Sequence, residues 1–218
     1  VSVGGVSDGG VGDRGVGDGG VRRWTVVIPI KGGSGAKSRL GGSPALALAI
    51  ALDTVAAAAQ VAELVVVTTP EVGERARGVA PAARLVTDPG AGLTAAIAAG
   101  IAAAPALRVA VLLGDLPALQ PDELRAALDF AERHPRALVA DADGDGSVLI
   151  TALVSADHAP AFGDGSRGRH RAAGYAELPI DAGSGLRRDV DTPGQLAALA
   201  AAGRLGARTA AELGGSGR

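Results

Sequence analysis

The chain contains no cysteine and no methionine, and its 218 residues include one Trp, one Tyr and two Phe. Without cysteine there is neither a disulfide nor a thiolate metal centre. With so few aromatic rings, the core has to be built from Val, Leu, Ile and Ala. A nucleobase would find few faces to stack on, so base recognition is expected to fall on backbone groups. No apolar run approaches the roughly 18 residues of a membrane span. The opening residues lack a basic stretch followed by an apolar one, so no secretory signal is expected and the cytoplasm is the default location. A net charge of −2, with no long basic run, gives no expectation of nucleic-acid binding. Lysine is the other scarcity. Lys and Arg together number 21, yet only Lys31 and Lys37 are lysine, and both lie in one glycine-rich stretch.

The length suits one domain with a sizeable core. Residues 1–23 are glycine-rich and of low complexity, and are expected to form a disordered tail because they bury too little to offset ordering entropy. The domain is expected over 24–213, with a flexible C-terminus over 214–218. From Trp24 onward apolar strand patterns alternate with helical ones. "TVVIPI", "AELVVVTTP", "ARLVTDP", "LRVAVLLGDLPAL", "RALVADADGDGSVLITALVS" and "GYAELPID" read as strands. "SPALALAIALDTVAAAAQV", "PEVGERARGV", "GLTAAIAAGIAAA", "QPDELRAALDFAERH" and "TPGQLAALAAAG" read as helices, with Ser43 and Thr192 as caps and Pro44 and Pro193 at the first helical position. The alternation predicts an α/β, Rossmann-like single domain with a central, mostly parallel mixed sheet flanked by helices. Ligands of such sheets bind beyond the carboxyl ends of the strands.

Three features fall at those ends: the opening glycine-rich loop, Gly114-Asp115 and the loop after "LVTDP". "KGGSGAKS" is close to a Walker A loop without being one, since the two glycine positions hold Lys31 and Ala36. A strand, a Gly-rich turn and two lysines ahead of a helix still suit a polyphosphate. In "LLGDLPAL", Asp115 sits at the mouth of the sheet, placed to ligate a hard cation. In "LRRDVDTP", Asp189 and Asp191 share one face of extended backbone, with Val190 directed to the core. Three carboxylates without a His or Cys partner favour Mg²⁺ over zinc. "GDGSVL" and "FGDGSRGRH" are Gly-x-Gly-Ser turns whose free amides and hydroxyls, Ser147 and Ser166, suit small anions, and the basic run Arg167, Arg169, His170 and Arg171 adds to that. Each motif also has an ordinary structural reading, as a cap, a turn or a solvated loop. On that reading His170 is a solvated loop histidine, while His134 and His158 read as surface residues.

Taken together and in this order, "PIKGGSGAKSRL", "LLGDLPAL", "DADGDGSVL", "FGDGSRGRH" and "LRRDVDTP" resemble the guanylyltransferases of coenzyme F-420 biosynthesis, which act on 2-phospho-L-lactate or phosphoenolpyruvate. The resemblance runs from about residue 24 to 213. It implies a nucleotidyltransferase fold related to the molybdenum-cofactor guanylyltransferases, with GTP, Mg²⁺ and a phosphorylated three-carbon acid as ligands. It implies Asp115, Asp189 and Asp191 as metal ligands, and Ser147, Gly163 and Ser166 as acid-binding positions. Ser147 stands where many members have Thr, and Thr94 stands where an Asn is usual. Within that frame Lys31, Lys37 and Gly92 are expected at the nucleotide, and Lys37 with Arg39 at the charge of the transition state. The implied product would pass to the next transferase of the pathway. Another nucleotidyltransferase, using CTP or a sugar phosphate, and a non-catalytic nucleotide-binding module are the alternatives at this stage.

Overall fold

The computed structural model describes Val1 and residues 24–31 and 44–215. The expected tail, Lys37, Arg39 and the Ser43 cap lie outside the described residues. In chain order the elements are β1 (Thr25–Pro29), α1 (Pro44–Ala58), β2 (Glu63–Thr68), α2 (Pro70–Arg77), β3 (Arg84–Thr87), α3 (Leu93–Ala103) and β4 (Val109–Leu112). They continue with α4 (Pro121–Ala131), β5 (Arg136–Ala140), β6 (Ser147–Ala152), α5 (Ser166–Ala172), β7 (Ala176–Glu177), α6 (Pro193–Ala201) and α7 (Ala207–Gly215).

The seven strands form one sheet in the order β3-β2-β1-β4-β6-β5-β7. Strands β1 to β4 pair in parallel, in a register that sets Val26 beside Leu64 and Ala110. β6 is antiparallel to both β4 and β5, while β5 and β7 are again parallel. The sheet is therefore mixed and mostly parallel, as expected. Reversing β6 carries its first residue, Ser147, to the edge at which β1 and β4 end. Leu149 lies opposite Leu112, and the N–H of Leu113 donates to the carbonyl of Val148 at 2.9 Å.

Both faces are covered, so the strands are apolar throughout rather than alternating. Val26, Ile28, Val66, Ala110 and Leu112 pack with α1, α2 and α4 on one face. Val27, Val65, Val67, Val109 and Val111 pack with α3 on the other, together with Tyr175. α3 comes so close that a Cβ on Gly100 would collide with the side chain of Val27. Thr192 caps α6 as expected, its Oγ1 accepting from Gln195 N–H at 3.2 Å. Three details differ from the sequence pattern. The α1 helix stops at Ala58, three residues before the apolar run ends. "FGDGSRGRH" is only partly loop, since α5 starts at Ser166. The last helix, α7, continues through Gly215; it docks on α1 because the buried carboxylate of Asp53 accepts from the N–H and Oγ1 of Thr209, at 2.8 and 2.7 Å. Among the described residues no helix is long and apolar enough to cross a membrane.

Candidate active site

A cleft of about 710 Å³ opens at the carboxyl ends of β1 and β4. Its walls include Lys31, Thr69, Asp88, Gly92, Gly114 and Asp115. Lys31 follows β1 and is exposed, so its ammonium reaches the cleft without a desolvation cost. Gly92 caps α3, and the first amides of that helix have no intrahelical partner, which gives the cleft a positive wall. Asp88 belongs to the "LVTDP" stretch expected at this edge, whereas Thr69 belongs to no expected site motif. Their signal was positional only: each follows a parallel strand directly. A larger hollow, about 820 Å³, lies around Trp24 and Pro81 at the other end of the strands, and none of the expected site residues lines it.

Asp115 comes two residues after Leu113, at the floor of this cleft. Its carbonyl accepts from the Val190 N–H at 3.1 Å, which fastens the "RRDVD" segment alongside. Val190 is buried with Leu46, Ile50 and Ala118, as expected, whereas Asp189 is half-buried and Asp191 exposed. Gly185 is the second fastening. Its N–H donates to Glu123 at 2.8 Å, and a Cβ there would overlap the Ala118 carbonyl. The backbone of the Asp189–Asp191 segment thus lies beside that of Asp115, although among the described residues no three His, Cys, Asp or Glu groups lie close enough together to hold a metal ion by themselves.

The second region is built by two loops sewn to each other. Gly165 N–H donates to Asp145 Oδ2 at 2.7 Å, and Arg167 N–H to the Asp145 carbonyl at 3.1 Å. This brings Ser147 against α5. The Ser147 N–H donates to Ser166 Oγ at 2.9 Å, and Ser147 Oγ lies 3.0 Å from Nδ1 of His170, one turn further along the helix. Gly163 adopts φ +109°, a conformation that favours glycine, and its carbonyl accepts from Ser166 N–H. Ser147, Gly163 and Ser166 therefore do come together. Arg187 ties this region to the aspartate segment by donating to the carbonyls of Asp141 and Ile180, at 2.8 and 3.1 Å.

Several expectations about these loops are corrected. The amides of the "GDGS" turn are not free, because the Asp141 carboxylate accepts from Gly144, Asp145 and Gly146 at 2.5, 3.1 and 2.6 Å. The turn is a nest, but the anion in it belongs to the chain. The arginines are engaged as well. Arg169 donates to the carbonyls of Ala161, Phe162, Gly163 and Asp164, and Arg167 to Glu177 and the Gly144 carbonyl. His170 is no solvated histidine. It is fully buried, edge-on to Phe162 with ring centroids 5.1 Å apart, and burial, with Arg169 and His158 near, lowers its pKa to about 4. His158 is also drawn inward, within hydrogen-bond reach of Tyr175 Oη and the Val109 carbonyl, and burial lowers its pKa too. The sequence signal missed here was a histidine four residues after a serine on one helix face.

Residues 32–178 match the model of the MobA-like NTP transferase domain. The chain is 46% identical over 202 residues to a phosphoenolpyruvate guanylyltransferase of Streptomyces coelicolor, covering 87% of this chain and 95% of that one. A second, from Thermomonospora curvata, is 46% identical over 201 residues, covering 86% and 87%. Among solved structures, a nucleotidyl transferase from Methanothermobacter superposes with a TM-score of 0.59 at 21% identity, over 81% of this chain and 95% of that one. A Mycobacterium tuberculosis protein crystallised with manganese superposes with a TM-score of 0.55 at 22% identity, over 81% and 97%. These two likenesses concern the fold.

Proposed function

From a chain that belongs to the phosphoenolpyruvate guanylyltransferase family of MobA-like nucleotidyltransferases, we propose an enzyme that transfers GMP from GTP to phosphoenolpyruvate. The observation that carries this reading is the position of Asp115 between a cleft and a pair of bonded serines. The cleft with Lys31 and Gly92 lies on one side, and the Ser147–Ser166 pair at the reversed end of β6 on the other.

In this reading a phosphate oxygen of the acid attacks the α-phosphorus of GTP. A new P–O bond forms, the bond to the β-phosphate bridging oxygen breaks, and pyrophosphate leaves. No general base is required, because the attacking phosphate is already ionised at neutral pH. Attacker, centre and leaving group are all anionic, so what the protein must supply is position and positive charge. Lys31 and Lys37 hold the triphosphate, the N-terminal amides of α3 face it behind Gly92, and Lys37 with Arg39 meets the charge that develops. Ser147, Gly163 and Ser166 hold the acid.

The carboxylates suit a divalent cation. They are hard oxygen donors on two segments whose backbones are joined by the Val190–Asp115 bond. Mg²⁺ characteristically takes one or two carboxylates and completes its shell with water and substrate phosphates, so a closed three-residue set is not needed beforehand. Asp115, Asp189 and Asp191 would hold it. When bound, it would supply Lewis-acid neutralisation of the phosphoryl oxygens. The enolpyruvyl-diphospho-guanosine formed in this way is labile, and is handed in the cytoplasm to the next transferase of coenzyme F-420 biosynthesis.

The test is pyrophosphate release from Mg²⁺-GTP with phosphoenolpyruvate or with 2-phospho-L-lactate, and with CTP in place of GTP. Release with GTP and phosphoenolpyruvate is expected. Binding of GTP without release in the presence of either acid would mark a nucleotide-binding module and overturn the proposal.

A further inference from the structure

We propose that His170 is a positioning residue of the acceptor subsite: its Nδ1–H donates to Ser147 Oγ, which leaves the hydroxyl protons of Ser147 and Ser166 as a matched pair of donors for one anionic end of the acid. This rests on the reading that Ser147 and Ser166 take the acid. The argument begins at the far side of the ring. The Ala161 N–H lies 2.8 Å from Nε2 of His170. A main-chain N–H can only donate, so Nε2 must carry its lone pair there. The imidazole is then neutral with its proton on Nδ1, and Nδ1 must be the donor to Ser147 Oγ at 3.0 Å. The opposite tautomer would set two N–H groups against each other.

The environment holds the ring in this state. It is fully buried between Phe162 and Tyr175, whose centroids lie 5.1 and 5.3 Å away, and burial keeps it neutral at pH 7. Ser147 Oγ, having accepted from Nδ1, has its own proton left to give. Ser166 Oγ is in the same position, having accepted from the Ser147 N–H. Among the described residues, no protein group accepts from either hydroxyl. Two hydroxyls that each already accept one hydrogen bond, and whose protons no protein group takes, are set to donate to an acceptor-only ligand oxygen, carboxylate or phosphate. A donor on one lone pair of Ser147 Oγ restricts where its proton can point, and His170 is that donor.

The experiment has two arms. In the full chain with ¹⁵N-labelled histidine, the ring nitrogens are assigned by elimination with His134→Gln and His158→Gln. At pH 7 His170 is expected to show a protonated Nδ1 and an unprotonated Nε2, and a ring protonated at Nε2 overturns the proposal. In the kinetic arm, His170→Gln keeps an acceptor for Ala161 and loses the donor to Ser147. It is expected to raise the KM for phosphoenolpyruvate about tenfold, to leave the KM for GTP unchanged, and to have no further effect in a Ser147→Ala background. His170→Asn, which keeps an N–H near Nδ1, is expected to recover part of the loss. Equal losses in both backgrounds, or equal rises in both KM values, overturn it. The two readings fail separately. A chain that turns over no acid refutes the proposed function, and the tautomer still decides on His170. An Nε2–H ring in a fully active enzyme refutes the inference alone.

Discussion

The main-chain N–H of Val190 is bonded to the main-chain carbonyl of Asp115 at 3.1 Å, so two acidic motifs some seventy-five residues apart in sequence are joined through the backbone. That bond runs between backbones and does not itself need a metal. Asp115→Asn, Asp189→Asn and Asp191→Asn keep that backbone bond and the side-chain shape, and should each leave the fold intact. Each should lower kcat/KM by at least about 100-fold, or roughly 2.7 kcal/mol of barrier. Turnover near wild type at saturating Mg²⁺ in any one of them would remove that residue from the site.

Gly185 supplies the complementary test, in which the carboxylates are kept and their seat is moved. A methyl group at this position would overlap the Ala118 carbonyl and crowd Glu123. Gly185→Ala is expected to destabilise the fold by about 1–3 kcal/mol, the usual cost of overpacking, and to raise the Mg²⁺ concentration needed for half-maximal rate. A variant with unchanged Mg²⁺ dependence would show that the segment's seat is immaterial to the metal.

Ser166→Ala removes one donor to the acid and also strands the Ser147 N–H, which now donates to Ser166 Oγ. Loss of a hydrogen bond to a charged group costs about 1.5–3 kcal/mol. The KM for phosphoenolpyruvate should rise roughly ten- to a hundred-fold while that for GTP holds steady. Lys31→Ala and Lys37→Ala should show the reverse bias. If Ser166→Ala raised the GTP KM and spared the acid, the two regions would have to exchange roles.

The buried histidines give the stability a defined pH dependence. In the unfolded chain His170 titrates near 6.5, and in the fold near 4, because burial penalises the cation. Between those values the unfolded state binds more protons, so stability falls as pH drops from about 6.5 to about 4 and levels off below that. The full contribution is present above pH 6.5 and is on the order of 3 kcal/mol. His158 shifts in the same direction and adds to the slope. Urea unfolding of wild type and His170→Gln at pH 7.5 and 4.5 checks this, with a smaller pH difference expected in the variant.

The strands and the α/β layering were legible in the sequence because both depend on local patterns. Apolar runs of strand length, Pro at helix starts and the Thr192 cap all reappear in the structure. The place of Asp115 just beyond β4 was also legible, since strand ends in such a sheet share an edge, whereas the docking of the Asp189 segment beside it, through the Val190 N–H, was not. What could not be read was which side chains the loops would use internally. Nothing local says that Asp141 fills the "GDGS" nest, that Arg169 serves four carbonyls of its own loop, or that His170 turns inward. Those outcomes depend on two loops meeting, Asp145 of one against Gly165 and Arg167 of the other. A surplus of basic residues in a loop therefore looked like a ligand signal when most of it was internal bracing.

The reversal of β6 divides the sheet edge by origin in the chain. Everything proposed for the nucleotide comes before Asp115, on the parallel strands, and everything proposed for the acid comes after it. The later portion also carries its own counter-charges, Asp141 within one loop and Arg169 within the other, so its shape does not wait for a substrate. Exchanging that portion tests the division. Residues 141–171 taken from a relative that uses a different acid should bring that acid preference with them, and leave the handling of GTP to the recipient.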